Sequence, residues 1–247
     1  MAASLLFTPA AAFGEDAGAT RAAYLSWVLS FLSFPDQART VSAQSVLLAR
    51  QLGHPFSLAY ALTFATILHC RLRQPAEALL LAQETQQRAD SHGFPLWQIG
   101  ATRSHGWALA MQNQRQGIGV LQQSVDATQA AMGGGTLIVL GPLVDAKLGL
   151  GNFAAALSAS DLARASGNAI GDHHLEAELQ RLRGESLLGL GAANESEAET
   201  CFAQALAISR RQQAKSLALR AAISMARRWQ QQGKRDAACA LLTAVFG

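Results

Sequence analysis

The amino-acid sequence predicts an all-α protein, an α-solenoid of about six antiparallel helix pairs. Of its 247 residues, 50% are hydrophobic, and alanine and leucine dominate while β-branched residues are scattered. This composition favours helices over alternating strands. A small or apolar residue also recurs at separations of 40, 40, 38, 42 and 40 residues, which gives a period near 40. The recurring positions are Ala38, Ala78, Ile118, Ala156, Ala198 and Ala238.

The last hairpin sets the register of the repeat. Ala226, Trp229, Gly233 and Ala238 stand at the offsets of a tetratricopeptide-like unit, in which two helices approach closely at small residues. A turn residue lies five positions before most of the recurring positions, at Ser33, Arg73, Asn113, Gly151 and Gly233. Because the period exceeds the roughly 34 residues of the standard repeat, each helix is expected to gain a little under one turn.

Proline and glycine mark the ends of the helices in the first half of the chain. The first helix is expected over residues 16–34. Proline is tolerated at the first helical position, where its missing N–H is not needed, so helices are expected to begin at Pro35, Pro55, Pro75 and Pro95. Glycine adopts the left-handed conformation that ends a helix, as expected at Gly53 and Gly93.

The second half of the chain is less regular. Three consecutive glycines, residues 133–135, predict a hinge or a longer turn. The apolar segment that follows, residues 136–150, is interpreted as a helix bent at Gly141 and Pro142 rather than as a strand. Asp172 is expected to cap the next helix, and the turn AANESE, two residues longer than the others, accounts for the interval of 42 residues.

Six repeats in series predict one elongated domain over residues 16–247, preceded by a flexible lead-in over residues 1–15. The lead-in has an apolar patch but no basic region, so a secretory signal is the less favoured alternative. No run approaches the roughly 18 apolar residues of a membrane span, and no membrane partner is expected. Cys70, Cys201 and Cys239 lie in predicted helices without metal-type spacing, which indicates buried free thiols and a cytoplasmic location.

The sequence contains no pattern typical of a catalytic, cofactor or metal site. It lacks GxxxxGK[ST], HExxH and CxxC, and residues 133–136 lack the lysine of a phosphate loop. His173, His174, Glu176 and Glu178 resemble metal ligands, but only His174 and Glu178 would share a helix face. We therefore interpret them as a polar helix start, and we expect no enzyme activity and no cofactor.

The repeat register also predicts a concave groove that binds a partner. With Gly106, Gly184 and Ala226 as the close-packing position of each first helix, the positions that face inward include Trp27, which core packing explains better. For Arg103 and Trp107, core packing is an open alternative to a place in the groove. Arginine and aromatic side chains are common anchors of protein interfaces. The expected partner-binding residues are Tyr60, Arg71, Arg103, Trp107, Asp145, Glu178, Arg181, Glu185, Arg220 and Arg227. For Glu178, Arg181 and Glu185, a helix-stabilising charge ladder is an open alternative.

Several stretches carry a resemblance to a known family. They are HPFSLAYAL, HGFPLWQIGATRSHGWALA, EAELQRLRGESLL and AETCFAQALAISRRQQAKSLALRAAISMARRWQQQGK. They resemble the C-terminal tetratricopeptide-like region of large bacterial signalling proteins, in which an adenylate or guanylate cyclase domain and an ATPase precede the repeats. The resemblance implies stacked helices used for protein contact or ligand sensing. It transfers no catalytic residue, because the catalytic domains of that family lie outside the matching region.

We therefore expect a non-catalytic, regulatory helical-repeat protein that binds a protein or peptide in its concave groove. An attached or neighbouring cyclase/ATPase module is a further expected partner. The first alternative is a small-ligand sensor, suggested by the glycine hinge and the central polar stripe. The second is a nucleic-acid-binding solenoid, suggested only by the basic C-terminal third and disfavoured by a net charge of +3.

Overall fold

The computed structural model describes residues 16–132 and 137–246, and within these ranges the chain forms twelve α-helices and no β-strand. The predicted all-α class and the succession of helix pairs are confirmed. A 3₁₀ turn, Ala192–Asn194, lies between α9 and α10. The α-helices are α1 (Ala17–Phe31), α2 (Pro35–Leu52), α3 (Pro55–Arg71), α4 (Pro75–His92), α5 (Pro95–Met111), α6 (Gln116–Met132), α7 (Leu137–Gly149), α8 (Phe153–Ile170), α9 (Glu176–Gly189), α10 (Glu195–Arg211), α11 (Lys215–Gln231) and α12 (Arg235–Phe246).

The predicted turn positions all adopt the left-handed backbone conformation. Their φ angles are 66° at Ser33, 60° at Arg73, 61° at Asn113, 75° at Gly151 and 78° at Gly233. Gly53 and Gly93 also have positive φ and cap α2 and α4, as expected. Gln213 has a φ of 55°, a turn that the register had not assigned. The prolines predicted to open helices are the first residues of α2 to α5, which confirms those boundaries.

Two details of the predicted register are wrong. Asp172 does not cap the ninth helix, because its carboxylate accepts hydrogen bonds from the backbone and ring of His174, and α9 begins only at Glu176. In the third repeat the buried small residue is Gly117 rather than Ile118, which is half-buried. The chain enters α6 through a tight turn in which the Gly117 N–H bonds the Gln114 carbonyl at 3.0 Å, and this shifts the close-packing position by one residue.

The segment after the glycines is helical, as predicted: α7 contains Pro142 within it. The proposed hinge at residues 133–135 and the lead-in over residues 1–15 lie outside the described residues. The chain divides into two compact units, the first ending at Ser124 and the second beginning at Val125, within α6. A single domain over 16–247 stays a prediction, and the two units are described separately.

In the first unit each new helix packs on the hairpin before it: α3 on α1 and α2, and α5 on α3 and α4. The recurring residues Ala38 and Ala78 are fully buried, as the repeat requires. The α5–α6 hairpin closes at two glycines. A Cβ atom added to Gly117 would lie 2.4 Å from the Gly106 carbonyl oxygen, so the two backbones touch and leave no room for a side chain.

The second unit repeats this arrangement, with α9 packed on α7 and α8, and α11 packed on α9 and α10. Ala156 and Ala198 are fully buried at the recurring position. Here the close approach is of another kind, because Gly184 faces the ring of Phe202. A Cβ atom at Gly184 would lie 2.5 Å from that ring, which is itself fully buried.

Candidate functional site

An aromatic surface lies on α1 and α3 in the first unit, formed by Tyr24, Trp27, Phe31, Tyr60 and Phe64. Tyr60 and Phe64, one turn apart on α3, stack with ring centroids 4.7 Å apart. Tyr24 and Trp27 both pack edge-to-face with Phe64, with ring centroids 5.0 and 5.8 Å apart. Trp27 and Phe31 pack in the same way, with centroids 5.8 Å apart. These edge-to-face and stacked geometries are those that aromatic pairs prefer, so the rings form one continuous surface.

Part of this aromatic surface is open to solvent. Tyr24 is 48% exposed, and the neighbouring α1 residues Leu25 and Val28 are about half exposed. Tyr60, in contrast, is 6% exposed, because it also packs against Trp97 at 5.3 Å. The predicted partner-binding residue Tyr60 is therefore buried beneath the aromatic surface. The ring that is exposed to solvent is Tyr24, which the repeat register had not selected.

Arg71, a predicted partner-binding residue, borders the aromatic surface. Its guanidinium lies 3.6 Å from the centroid of the Phe31 ring, and its Nε donates a hydrogen bond of 3.0 Å to Ser30 Oγ. A cation over an aromatic face is attracted by the quadrupole of the ring. The half-buried Arg71 side chain is thereby held at the edge of the rings, with cationic and apolar groups side by side.

Arg103 and Trp107 lie one turn apart on α5 and are largely inaccessible, at 7% and 3% exposure. Burial lowers the pKa of Arg103, an effect partly opposed by the nearby Cys70 thiol. Within the part of the chain that the structure describes, the Arg103 guanidinium makes no hydrogen bond or ion pair. Trp107 lies 5.8 Å from the guanidinium of Arg73. These two predicted residues are thus core residues, and Arg103 carries an uncompensated charge.

The predicted residues of α9 and α11 come together in an ion network in the second unit. Arg181 donates to both carboxylate oxygens of Glu178, at 2.8 and 3.1 Å, and lies 3.4 Å from Glu185. Arg220, on α11, forms a second ion pair with Glu178 at 2.7 Å. Ser224 Oγ donates to Glu185 at 2.5 Å. The network therefore joins the two helices, which a charge ladder along α9 alone would not do.

Arg181 is held as a cation in this network. Its side chain is 9% exposed, and burial alone would lower its pKa, but Glu178 and the nearby Asp145 and Glu185 raise the pKa overall. The remaining predicted residue, Arg227, is exposed and lies apart from these contacts in the groove between α11 and α12. The structure thus brings four of the predicted residues of this unit into direct contact and places Asp145 within electrostatic range.

Two arginines that join neighbouring helices were missed by the sequence analysis. Arg183 binds Glu197 at 2.7 Å and Asp161 at 3.2 Å and thereby links α8, α9 and α10. These contacts and Cys201 raise its pKa, although burial opposes the shift. Arg228 forms an ion pair with Glu195 at the start of α10. The repeat register did not select them, because Arg183 lies on the side of α9 opposite the predicted stripe and Arg228 lies about a quarter turn from the stripe of α11.

The histidine cluster does not form a metal site in the described residues. His174 bonds Asp172, His173 lies 3.4 Å from Glu176, and Glu178 belongs to the ion network. No group of three or more potential ligands comes together in the ranges 16–132 and 137–246. Among the cysteines, Cys201 is buried and Cys70 half-buried, but Cys239 is exposed, which corrects the expectation of three buried thiols. None of the described helices is long and apolar enough to cross a bilayer.

Comparison with family models and with curated protein sequences finds no match for this chain. Among solved structures, the chain is similar to aspartyl phosphate phosphatase F from Bacillus subtilis, with a TM-score of 0.63 and 14% sequence identity. The similarity covers 92% of this chain and 58% of that protein, so this chain spans little more than half its length. The comparison supports the helical-repeat fold. It does not support an association with cyclase or ATPase domains.

Proposed function

We propose that the chain is a non-catalytic binding protein that captures a protein or peptide on the aromatic surface of its first unit. The exposed ring of Tyr24, next to the partly exposed rings of Trp27, Phe31 and Phe64, carries the proposal, because aromatic and arginine side chains concentrate binding energy at interfaces. Tyr24 offers an exposed ring, and Phe31 with the stacked Arg71 offers an apolar and a cationic contact at one place.

The position of Arg71 supports an acidic group in the partner. Its half-buried guanidinium lies over the Phe31 ring at the edge of the aromatic surface, where a carboxylate next to an apolar anchor could form a charge-assisted hydrogen bond with it. The partner proposed here is therefore a peptide segment with an apolar or aromatic anchor and a neighbouring Asp or Glu.

The second unit is proposed to act as a scaffold rather than as a catalyst. The acids of its ion network, Glu178 and Glu185, bond to arginine or serine. These contacts are typical of structural ion-pair partners rather than of a general acid or base. The small-ligand sensor remains the alternative, but the polar stripe that suggested it satisfies its charges largely within the network. Likewise, the phosphatase activity named for the similar structure is not extended to this chain, because 14% identity shows the fold alone.

Regulation of an attached or neighbouring cyclase/ATPase module, and a cytoplasmic location, are part of the proposal. The first rests on the sequence resemblance described above. The second rests on the three cysteines, which are free thiols and would suit a reducing compartment.

Peptide selection tests the proposed function. Random peptides displayed on phage are selected against the immobilised full chain, and the affinities of enriched sequences are measured by fluorescence anisotropy. Tyr24→Ser is expected to weaken binding about thirtyfold, the loss typical of an interface anchor, and enriched sequences are expected to contain Asp or Glu. Helicity by circular dichroism should not change.

Leu80→Ser is the matched control, because Leu80 is a still more exposed apolar residue, at 68%, and lies on α4. This variant should bind the selected peptides as tightly as the wild type. Enriched peptides that bind Tyr24→Ser and the wild type equally, or that Leu80→Ser weakens as much, would refute the assignment of the aromatic surface.

A further inference from the structure

We infer that the groove between α11 and α12 binds an acidic, amphipathic α-helix of a partner protein. This inference goes beyond the proposed function, because the groove belongs to the second unit while the aromatic surface belongs to the first. It rests on the shape of the groove, on its charges and on the way in which the preceding hairpins fill the same position.

The groove is apolar along its floor and basic at its rims. It has a volume of about 370 Å³, with Ile223 and Ala226 of α11 facing Ala238 and Leu242 of α12. Arg227 and Arg235 also line it; both are exposed, and neither has an ion-pair partner among the described residues. Exposed apolar surface of this kind marks a binding site when polar groups border it.

Every hairpin with a successor in its own unit holds a helix in the corresponding groove. In the first unit α3 packs on the α1–α2 hairpin and α5 on the α3–α4 hairpin. In the second unit α9 packs on α7–α8 and α11 on α9–α10. Because each repeat buries its apolar face only against a neighbour, the α11–α12 groove has the shape that receives a helix rather than an extended strand or a small molecule.

The charges of this groove are the reverse of those in the hairpin before it. The repeat register aligns Arg227 with Glu185 in the first helix, and Arg235 with Glu195 at the start of the second helix. In the α9–α10 hairpin these two acids receive the helix α11: Glu185 accepts a hydrogen bond from Ser224, and Glu195 pairs with Arg228. An acidic groove thus receives a basic helix in this fold.

The α11–α12 groove should therefore receive a helix of opposite charge. A helix that docks as α11 does would place the residues equivalent to Ser224 and Arg228 next to Arg227 and Arg235. Acidic residues at those two positions would form ion pairs, whereas the basic residue of α11 would be repelled. The structure thereby specifies both the secondary structure and the charge pattern of the partner segment.

Two synthetic peptides test this inference against the full chain. Both have the 17-residue sequence of α11, Lys215–Gln231, and are stapled on the face opposite the apolar stripe to hold them helical. The acidic peptide, so named for the two docking positions, carries Ser224→Glu and Arg228→Glu, which lowers its side-chain charge from +4 to +1, while the control peptide keeps the natural residues. By fluorescence anisotropy, the acidic peptide is expected to bind at least about tenfold more tightly, as two partly exposed ion pairs would predict.

Charge reversal of the groove should invert this preference. In the variant Arg227→Glu/Arg235→Glu the acidic peptide should lose at least about tenfold in affinity and the control peptide should gain. The matched variant Arg88→Glu/Arg115→Glu reverses two exposed arginines of the first unit and should leave both affinities unchanged. If the reversed variant does not fold, the ratio of the affinities of the two peptides for the wild-type chain tests the charge complementarity.

Several results would overturn the inference. Equal affinities of the two peptides would refute the charge complementarity. Absence of binding by either peptide would refute the binding site itself. Equal binding of an unstapled acidic peptide with a central proline would show that the occupant is not a helix. A concentration-dependent dimer that Arg227→Glu/Arg235→Glu abolishes, together with absent peptide binding, would assign the groove to a second copy of the chain.

Discussion

Replacement of Gly117 by alanine should separate α5 from α6 and destabilise the first unit. The added Cβ atom would lie 2.4 Å from the Gly106 carbonyl oxygen and 2.6 Å from the Ala110 backbone nitrogen. Ordinary contacts begin near 3.4 Å, so the two backbones must move apart by about 1 Å. This displacement would also loosen the fully buried Leu121 at the same crossing.

We expect Gly117→Ala to cost about 3 kcal/mol in the free energy of unfolding, the upper part of the range for overpacking at a site that cannot relax by a side-chain rotation. For a chain of this size that loss lowers Tm by roughly 6 to 12 °C. Urea denaturation followed by circular dichroism measures the free energy, and hydrogen exchange should show the loss of protection at α5 and α6 first.

Gly119→Ala is the matched control. Gly119 lies two residues further along α6, and a Cβ atom there meets no other atom within 4 Å. The same chemical change should therefore stabilise the chain by about 1 kcal/mol through helix propensity alone. Similar unfolding midpoints for the two variants would refute the close backbone approach at Gly117.

The remaining predictions concern the buried arginines and the turns. Arg181→Met should lower the free energy of unfolding by about 2 kcal/mol, because half-buried Glu178 loses its bidentate partner and keeps only its ion pair with Arg220; in a urea double-mutant cycle, Arg181→Met should cost much less when Glu178→Gln is already present, and equal costs in both backgrounds would contradict the pairing. Arg103→Met should raise the unfolding free energy by about 1 kcal/mol, since it removes a buried, uncompensated charge, and a lower urea midpoint would contradict this. Gln213→Gly should stabilise the chain by about 0.5 kcal/mol and Gly233→Ala should destabilise it by about 1 kcal/mol, because both positions have positive φ; thermal unfolding measures both, and shifts of the same sign would refute the backbone argument.

The fold could be predicted well from the sequence, because the helices of a repeat protein are determined largely by residues that are close together in the chain. Proline at the start of a helix and glycine at its end act on the residues next to them, so the boundaries at Pro35, Pro55 and Gly93 could be predicted without knowledge of any tertiary contact. The repeat period added positions such as Arg73, whose left-handed backbone its residue type alone would not suggest.

The binding residues were harder to predict, because the repeat register indicates which face of a helix a residue occupies but not how deeply its side chain is buried. Arg103 and Tyr24 illustrate this: the first occupies a predicted groove position but is buried, and the second was not selected but presents the aromatic surface. The ion network shows the same difficulty, because the spacing of Glu178 and Arg181 along α9 fits a local ladder, whereas Arg220 on another helix completes it.

The sequence by itself determined the helices, their ends and their period, since these depend on backbone conformation and on hydrophobic periodicity along a few neighbouring residues. Only the tertiary structure decided which small residue lets α5 and α6 touch, which arginines are satisfied and which charges line the α11–α12 groove. Those properties depend on distances between residues about 10 to 40 positions apart in the chain, where a change of 1 Å separates contact from exclusion.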